Sequence, residues 1–346
     1  MRYAALLSTF VALFAVSLAA PTPSPAQERP SAVVLMYHRF GEDAYPSTNI
    51  RLEQFEDHLR YLQAGDYEVL SLPRIVQTLR AGKSLPDRTV AITIDDAYRS
   101  AYTEAWPRLR EAGFPFTLFV ATEPVDRGFA GMMSWKQLRE MAASVLVTVG
   151  NHTVSHLHMP DHDTARLRDE IRQADRRLRD ELGEISDLFA YPYGEYGTRV
   201  QQVVRDTGFG AAFGQHSGVI GTHSDFHAMP RFALNEQYGA MERFRLVADA
   251  LPLMVSDVTP EDVHLTDATN PPSFALTLAD DMGDPERLSC YGSGRGRLTL
   301  QSAGARRVRA LLDNPFPPGR SRINCTLRDA SGRWRWYGLQ FYVSSP

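Results

Sequence analysis

The chain has 346 residues, 43% of them hydrophobic and 23% charged, with 24 glycines and 22 prolines. Those fractions exclude a disordered, collagen-like or coiled-coil chain and leave room for one large domain and a small one. A formal net charge of −4 gives no electrostatic case for a nucleic-acid partner.

Residues 1–26 read as a leader. Arg2 supplies the positive start, an apolar run follows over 4–20, and Ser24-Pro25-Ala26 places small residues at the −3 and −1 positions of a cleavage site. A signal peptide cleaved near Ala26 predicts a periplasmic or secreted protein, with no transmembrane span left after cleavage. Cysteine use agrees. Cys290 and Cys325 are the only two, and in an oxidising compartment an even pair reads as one disulfide.

From residue 33 onward, short apolar runs alternate with amphipathic segments. Strands are expected at 33–37, 67–70, 90–94, 116–120, 145–149 and 188–190. Helices are expected at 52–62, 73–79, 100–111, from Ser134 onward, 161–182, 199–206 and 241–251. The helix over 161–182 has the clearest period, with Leu167, Ile171, Ala174, Leu178 and Leu182 on one face and its charges read as a solvated outer surface. The alternation predicts an α/β fold, a parallel sheet closing into a distorted (β/α) barrel over 27–255, with functional side chains at the strand C-termini. After Pro252 the texture changes to short runs broken by Pro271-Pro272, Gly283 and Pro285. Residues 256–346 are therefore expected to form a small β-rich, sandwich-like domain stapled by the disulfide. It offers a face to the barrel or to a partner in an export complex, and Trp334, Trp336 and Tyr337 offer aromatic rings to sugars or to the core.

Two polar clusters fall at expected strand ends. Asp95-Asp96 follows the run 90–94, and adjacent carboxylates there need a cation or hydrogen-bond donors, or else serve as a helix cap. His152 and His156 follow the run 145–149 with the i, i+4 spacing that puts two imidazoles on one face of a helical turn. One carboxylate and two imidazoles make three ligands for a divalent ion, with the second carboxylate free to act as a base. A third segment, Tyr191-Pro192-Tyr193-Gly194, is a turn that could present the Tyr193 N–H to a developing oxyanion, or simply an aromatic turn. Gly82-Lys83-Ser84 resembles the end of a P-loop but lacks the opening glycine, and there is no GxSxG elbow.

In order and placement, TIDDAY around Asp95-Asp96, HTVSH at 152–156 and YPYG at 191–194 resemble the motifs of the polysaccharide deacetylases, the NodB-homology enzymes of carbohydrate esterase family 4. Met36-Tyr37-His38 and Ser134-Trp135-Lys136-Gln137-Leu138 are most similar to the exported branch that acts on poly-β-1,6-N-acetylglucosamine. The resemblance implies a metal-dependent hydrolase of acetamido groups. Asp95 would be the base, Asp96, His152 and His156 the ligands of a divalent metal (zinc, or else cobalt or nickel), and the Tyr193 amide an oxyanion donor.

The chain departs from the family pattern in three places. Ile94 and Ala97 replace Phe and Gly of the usual TFDDG, Ala190 stands near the place of the third motif's arginine, and no late Leu-x-His supplies a general acid. Arg231 could provide the missing charge to Asp95, and His216, His223 and His227 are read as surface residues. Alternative substrates are chitooligosaccharide, peptidoglycan and O-acetylated xylan. The reading from a different class is a non-catalytic carbohydrate-binding protein.

Overall fold

The computed structural model describes residues 30–345, so the expected leader lies outside the described residues. Its first strand, β1 (Ser31–Tyr37), is almost wholly buried, as a run of Val, Leu and Met in a parallel sheet covered on both faces must be. Seven further strands follow: β2 (Glu68–Val69), β3 (Thr89–Asp95), β4 (Phe116–Val120), β5 (Val147–Asn151), β6 (Leu188–Ala190), β7 (Ala211–Phe213) and β8 (Val219–Gly221). With β9 (Phe232–Ala233) they make a nine-stranded sheet in the order β8-β1-β3-β4-β5-β6-β7, with β2 on β3 and β9 on β1. Pairing is parallel except between β1 and β8.

The last gap, from β7 back to β1, is bridged by the segment leading into β9. Met229 pairs with Phe213, Gly214 N–H donates to the Met229 carbonyl at 2.9 Å, and Phe232 sits opposite Leu35. The sheet is thus a distorted (β/α) barrel, and one short segment carries Arg231 into its interior.

Helices α1 (Leu52–Ala64), α2 (Leu72–Arg80), α3 (Trp106–Ala112), α4 (Trp135–Ala142), α5 (Thr164–Leu182), α6 (Thr198–Asp206) and α7 (Met241–Ala248) cover the outside. Their start signals are local. Ser134 caps α4 and exchanges bonds with Gln137, and Asp163 caps α5 by accepting from Arg166 N–H at 2.8 Å. That cap opens α5 at Thr164, not at Asp161, which lies in a separate short turn, Met159–Asp161. The segment expected as one helix from residue 100 begins as a π turn, Ala101–Ala105, before α3.

The remaining chain forms two β-sheets. One is antiparallel, from Val255–Thr259, Ala275–Leu278, Arg307–Ala310 and Leu300–Ser302. The other is built on a long hairpin, Gly319–Arg328 against Trp334–Val343, with Ser289–Gly292 at its side. Cys290 and Cys325 face each other across that pairing and form the disulfide. Leu339, Phe341 and Ile323 of the hairpin share a continuous core with Leu167 and Ile171 of α5 and Val200 of α6. Trp336 meets Phe232 edge-on at 5.2 Å and donates to Asn324, so its ring joins hairpin to barrel. No helix of the described residues is long and apolar enough to cross a membrane.

Candidate active site

The parallel strands end at one mouth of the barrel, and the polar clusters meet there because a parallel sheet brings all its C-termini to the same edge. Asp95 is the last residue of β3 and is completely buried. Arg231, also completely buried, grips it with two bonds: Nη1 to Oδ1 at 2.7 Å and Nη2 to Oδ2 at 2.8 Å. The guanidinium is itself oriented by the Gly214 carbonyl and the Thr93 hydroxyl, at 2.9 and 3.2 Å. Burial works to raise the Asp95 pKa, but the charges of Arg231, His152 and His38 outweigh it and hold the carboxyl below its usual range.

Asp96 turns out of the strand at φ 76 and Ala97 at φ 60, a left-handed pair that non-glycine residues adopt at a cost. The turn aims the Asp96 carboxylate at His152 and His156, whose Nε2 atoms lie 3.3 and 3.2 Å from its Oδ1. The three donor atoms lie within 4.8 Å of one another.

The two histidines do not share a helical turn. HTVSH is a loop, with Thr153 at φ 68 and His156 at φ 55, that curls back so that both imidazoles reach Asp96. Asn151 holds its start by accepting from Thr153 N–H at 2.8 Å and donating to the Ile171 carbonyl at 3.1 Å. Glu170 of α5 holds its middle, accepting from Val154 N–H, Ser155 N–H and the Ser155 hydroxyl at 3.0, 2.8 and 3.0 Å. Glu170 is therefore a buried anchor and not part of a solvated face.

The donor set fits a divalent cation. Asp96 Oδ1 and His152 Nε2, 3.3 Å apart, are both buried, and neither has a hydrogen-bond partner among the described residues. His152 Nδ1–H donates to the Ala190 carbonyl at 2.7 Å, which fixes the tautomer that leaves the Nε2 lone pair free. Burial opposes charge on His152, yet Asp96 and Asp95 outweigh it and raise its pKa: the pocket is arranged for positive charge.

Tyr193 lies in the turn Pro192–Gly194 at φ 58 and ψ 4, its ring 4.3 Å from that of His156. Gly194 follows at φ 69, and a Cβ there would lie 2.4 Å from the Gln215 backbone nitrogen, so the turn has both a conformational and a steric need for glycine.

His38 was given no role by its motif alone. It follows β1, and its Nε2 lies 3.9 Å from Asp95 Oδ2, the nearest imidazole to that carboxylate in an ion-pair contact. Burial lowers its pKa, with Asp96 and Asp95 opposing. Of the three later histidines, only His223 is a surface residue. His216 is buried, with its pKa lowered to about 4 by burial, and His227 is half-buried and bonded to the Phe209 carbonyl at 3.0 Å.

Comparison with known proteins agrees with this geometry. The sequence profile described as polysaccharide deacetylase matches residues 82–212, which include Asp95, Asp96, His152, His156 and Tyr193. The chain is 24% identical over 243 residues to the poly-beta-1,6-N-acetyl-D-glucosamine N-deacetylase of Escherichia coli K12, a match covering 58% of this chain but 36% of that protein. It is 23% identical over 231 residues to the Staphylococcus aureus MRSA252 protein of the same name, covering 60% of this chain and 79% of that one. The solved structure of IcaB from Ammonifex degensii superposes with a TM-score of 0.54 at 26% identity, covering 64% of this chain and 98% of that one. The stretch that matches the polysaccharide deacetylase model, residues 82–212, thus carries these motifs at the mouth of a barrel similar to that of the solved deacetylase-like structure.

Proposed function

We propose that the protein is a metal-dependent N-deacetylase of an N-acetylglucosamine-containing polysaccharide, with poly-β-1,6-N-acetylglucosamine as the favoured substrate. The observation that carries this reading is the pairing of a buried, arginine-clamped carboxylate with a cluster of Asp96, His152 and His156, in which Asp96 Oδ1 and His152 Nε2 are buried without a hydrogen-bond partner among the described residues. Substrate choice rests on the resemblance of Met36-Tyr37-His38 and Ser134-Trp135-Lys136-Gln137-Leu138 to that branch and on the names of the relatives.

A divalent ion held by Asp96, His152 and His156, zinc in our reading, would supply Lewis-acid polarisation and a lowered pKa for water. The chain's own residues do the rest. Asp95, kept ionised by Arg231, takes the proton from water as its oxygen adds to the acetyl carbonyl. The Tyr193 N–H donates to the oxygen on which negative charge develops. His38, with Nε2 3.9 Å from the same carboxylate, is our assignment for the group that takes the water-derived proton on from Asp95 and delivers it to nitrogen as the C–N bond breaks, leaving acetate and a free amine. Arg231 takes no proton: two bonds fix the direction of Asp95, and its charge holds the carboxyl in the basic form.

We further propose that the protein is exported. The leader-like residues 1–26 and the Cys290–Cys325 disulfide both suit an oxidising compartment.

Acetate release from poly-β-1,6-N-acetylglucosamine oligomers tests the proposal, using protein stripped of metal and re-supplied with zinc, cobalt or nickel. Release should depend on metal. Asp95→Asn should lose at least about a hundredfold in kcat, the scale of general-base catalysis, while still binding zinc. His38→Asn should lose about tenfold or more. Metal-bound protein that releases no acetate from this or other acetylated glycans would overturn the reading.

A further inference from the structure

The long hairpin alternates along both strands. Ile323, Leu339 and Phe341 point into the core, and the opposite face carries Arg320, Arg322, Gln340 and Tyr342, with Arg320 opposite Tyr342 and Arg322 opposite Gln340. That second face lies on the barrel mouth. Gln340 is 2% exposed, and its Nε2 donates to the Tyr193 carbonyl at 2.9 Å. Arg320 Nη1 reaches the same oxygen at 3.5 Å, with its guanidinium carbon 5.4 Å from the Tyr193 ring centroid. Arg320 Nε also lies 3.6 Å from Glu195, a buried carboxylate bonded at 2.7 Å to His158, whose ring stacks on Tyr193 at 4.2 Å and 8°. Tyr342 and Ser344 brace the same corner through Asp161, at 2.6 Å each.

Two features set these contacts apart from ordinary packing. Tyr193 is a non-glycine residue in the left-handed region, a conformation that persists only where its surroundings over-determine it. Gln340 Oε1 is buried with no partner among the described residues, so an apolar side chain would pack here at lower cost. What the amide gains at this position is its bond to Tyr193.

We propose that Gln340, with Arg320 in support, is a positioning residue for deacetylation. The C-terminal hairpin clamps the Tyr193 carbonyl, fixes the left-handed backbone, and so holds the Tyr193 N–H in the direction where the oxyanion develops. The inference rests on the deacetylase reading above and adds to it that residues 319–343 complete the active site. The family profile ends at residue 212, well before the hairpin.

The test compares wild type, Gln340→Met, Arg320→Met and the double variant in the full chain. Gln340→Met keeps the length of the side chain and removes the donor. It should lower kcat for acetate release at least tenfold with KM within twofold of wild type, and zinc affinity of the stripped protein should not change. Amide hydrogen exchange at Tyr193 and Gly194 should quicken. Arg320→Met should lose less, and the double variant should lose less than the product of the two, because both donors act on one oxygen. If Gln340→Met is folded and retains wild-type kcat, or loses activity only in step with KM or zinc affinity, the inference is overturned and the deacetylase reading stands. If wild type itself releases no acetate, the deacetylase reading falls and takes the inference with it.

Discussion

Ala97 shows how much one residue can carry. It occupies a left-handed position, buried, directly after the two carboxylates, and its backbone orients Asp96. The sequence marked this position as a departure from the family's glycine. The structure shows that the conformation is kept and the strain accepted. Ala97→Gly should therefore stabilise the protein by about 1 kcal/mol, less the entropy glycine gains in the unfolded chain. Denaturant midpoints at constant m-value check it; a loss of stability would mean that the methyl group's packing outweighs the strain. Arg231 was legible as a candidate only through the resemblance, because the chain has Ala190 near the place of the family's motif arginine and needs another charge for Asp95. His38 was not given a role, since nothing local distinguishes a histidine after a strand from any other.

At the scale of elements, the loop that carries the two histidines depends on a helix that bonds to the residues between them. Glu170 sits on the apolar face of α5, between Leu167 and Ile171, and spends its carboxylate on the backbone of Val154 and Ser155. A lone acid on an otherwise apolar stripe was the available signal, and it was submerged in a helix rich in charge. Glu170→Ala should free the loop and weaken zinc binding by about tenfold or more, in the range seen when groups that orient ligands are removed. Zinc titration of the stripped variant checks it, and unchanged affinity would show that Asn151 alone holds the loop. The i, i+4 spacing of His152 and His156 was read as a helical turn, and the ligands converge by a different route. Two left-handed residues and Asn151 fold the segment into a loop, a geometry that hydrogen bonds from distant elements impose.

Across the whole molecule, stability is coupled to pH through buried neutral imidazoles. His58 of α1 lies between Tyr37 and the Gly239 carbonyl, at 3.0 and 2.8 Å, and stacks on Phe244 of α7. Burial lowers its pKa to about 4, as it does for His216. Because the folded values lie below the unfolded value of 6.5, the unfolded chain binds protons first as pH falls. Stability is full above about pH 6.5, declines between 6.5 and 4, and levels off below, by about 3 kcal/mol for each histidine. Melting temperatures from pH 7.5 to 3.5 should follow that curve, and His58→Gln should flatten part of it. A flat wild-type profile would show that both sites admit water or a proton without loss of packing.

The sequence by itself determined the first six strands of the barrel with the helices around them, the disulfide pair, and the carboxylate and histidine clusters at two strand ends. These are encoded locally: buried strands read as apolar runs, helices as periodic stripes, caps as single polar residues, and parallel strands end at a common edge. The strands Ala211–Phe213, Val219–Gly221 and Phe232–Ala233 left no signal long enough to read. Only the tertiary structure decided which side chains touch. Arg231 meets Asp95 across 136 positions, and Gln340 meets Tyr193 across 147. Contacts of that span leave no period or spacing in the chain, because the choice between one buried donor and another is made when whole elements pack and their polar groups must all find partners. The same reason explains the hairpin. Its alternation was visible as a strand, but which of its faces met water, core or active site depended on where the barrel's mouth stood.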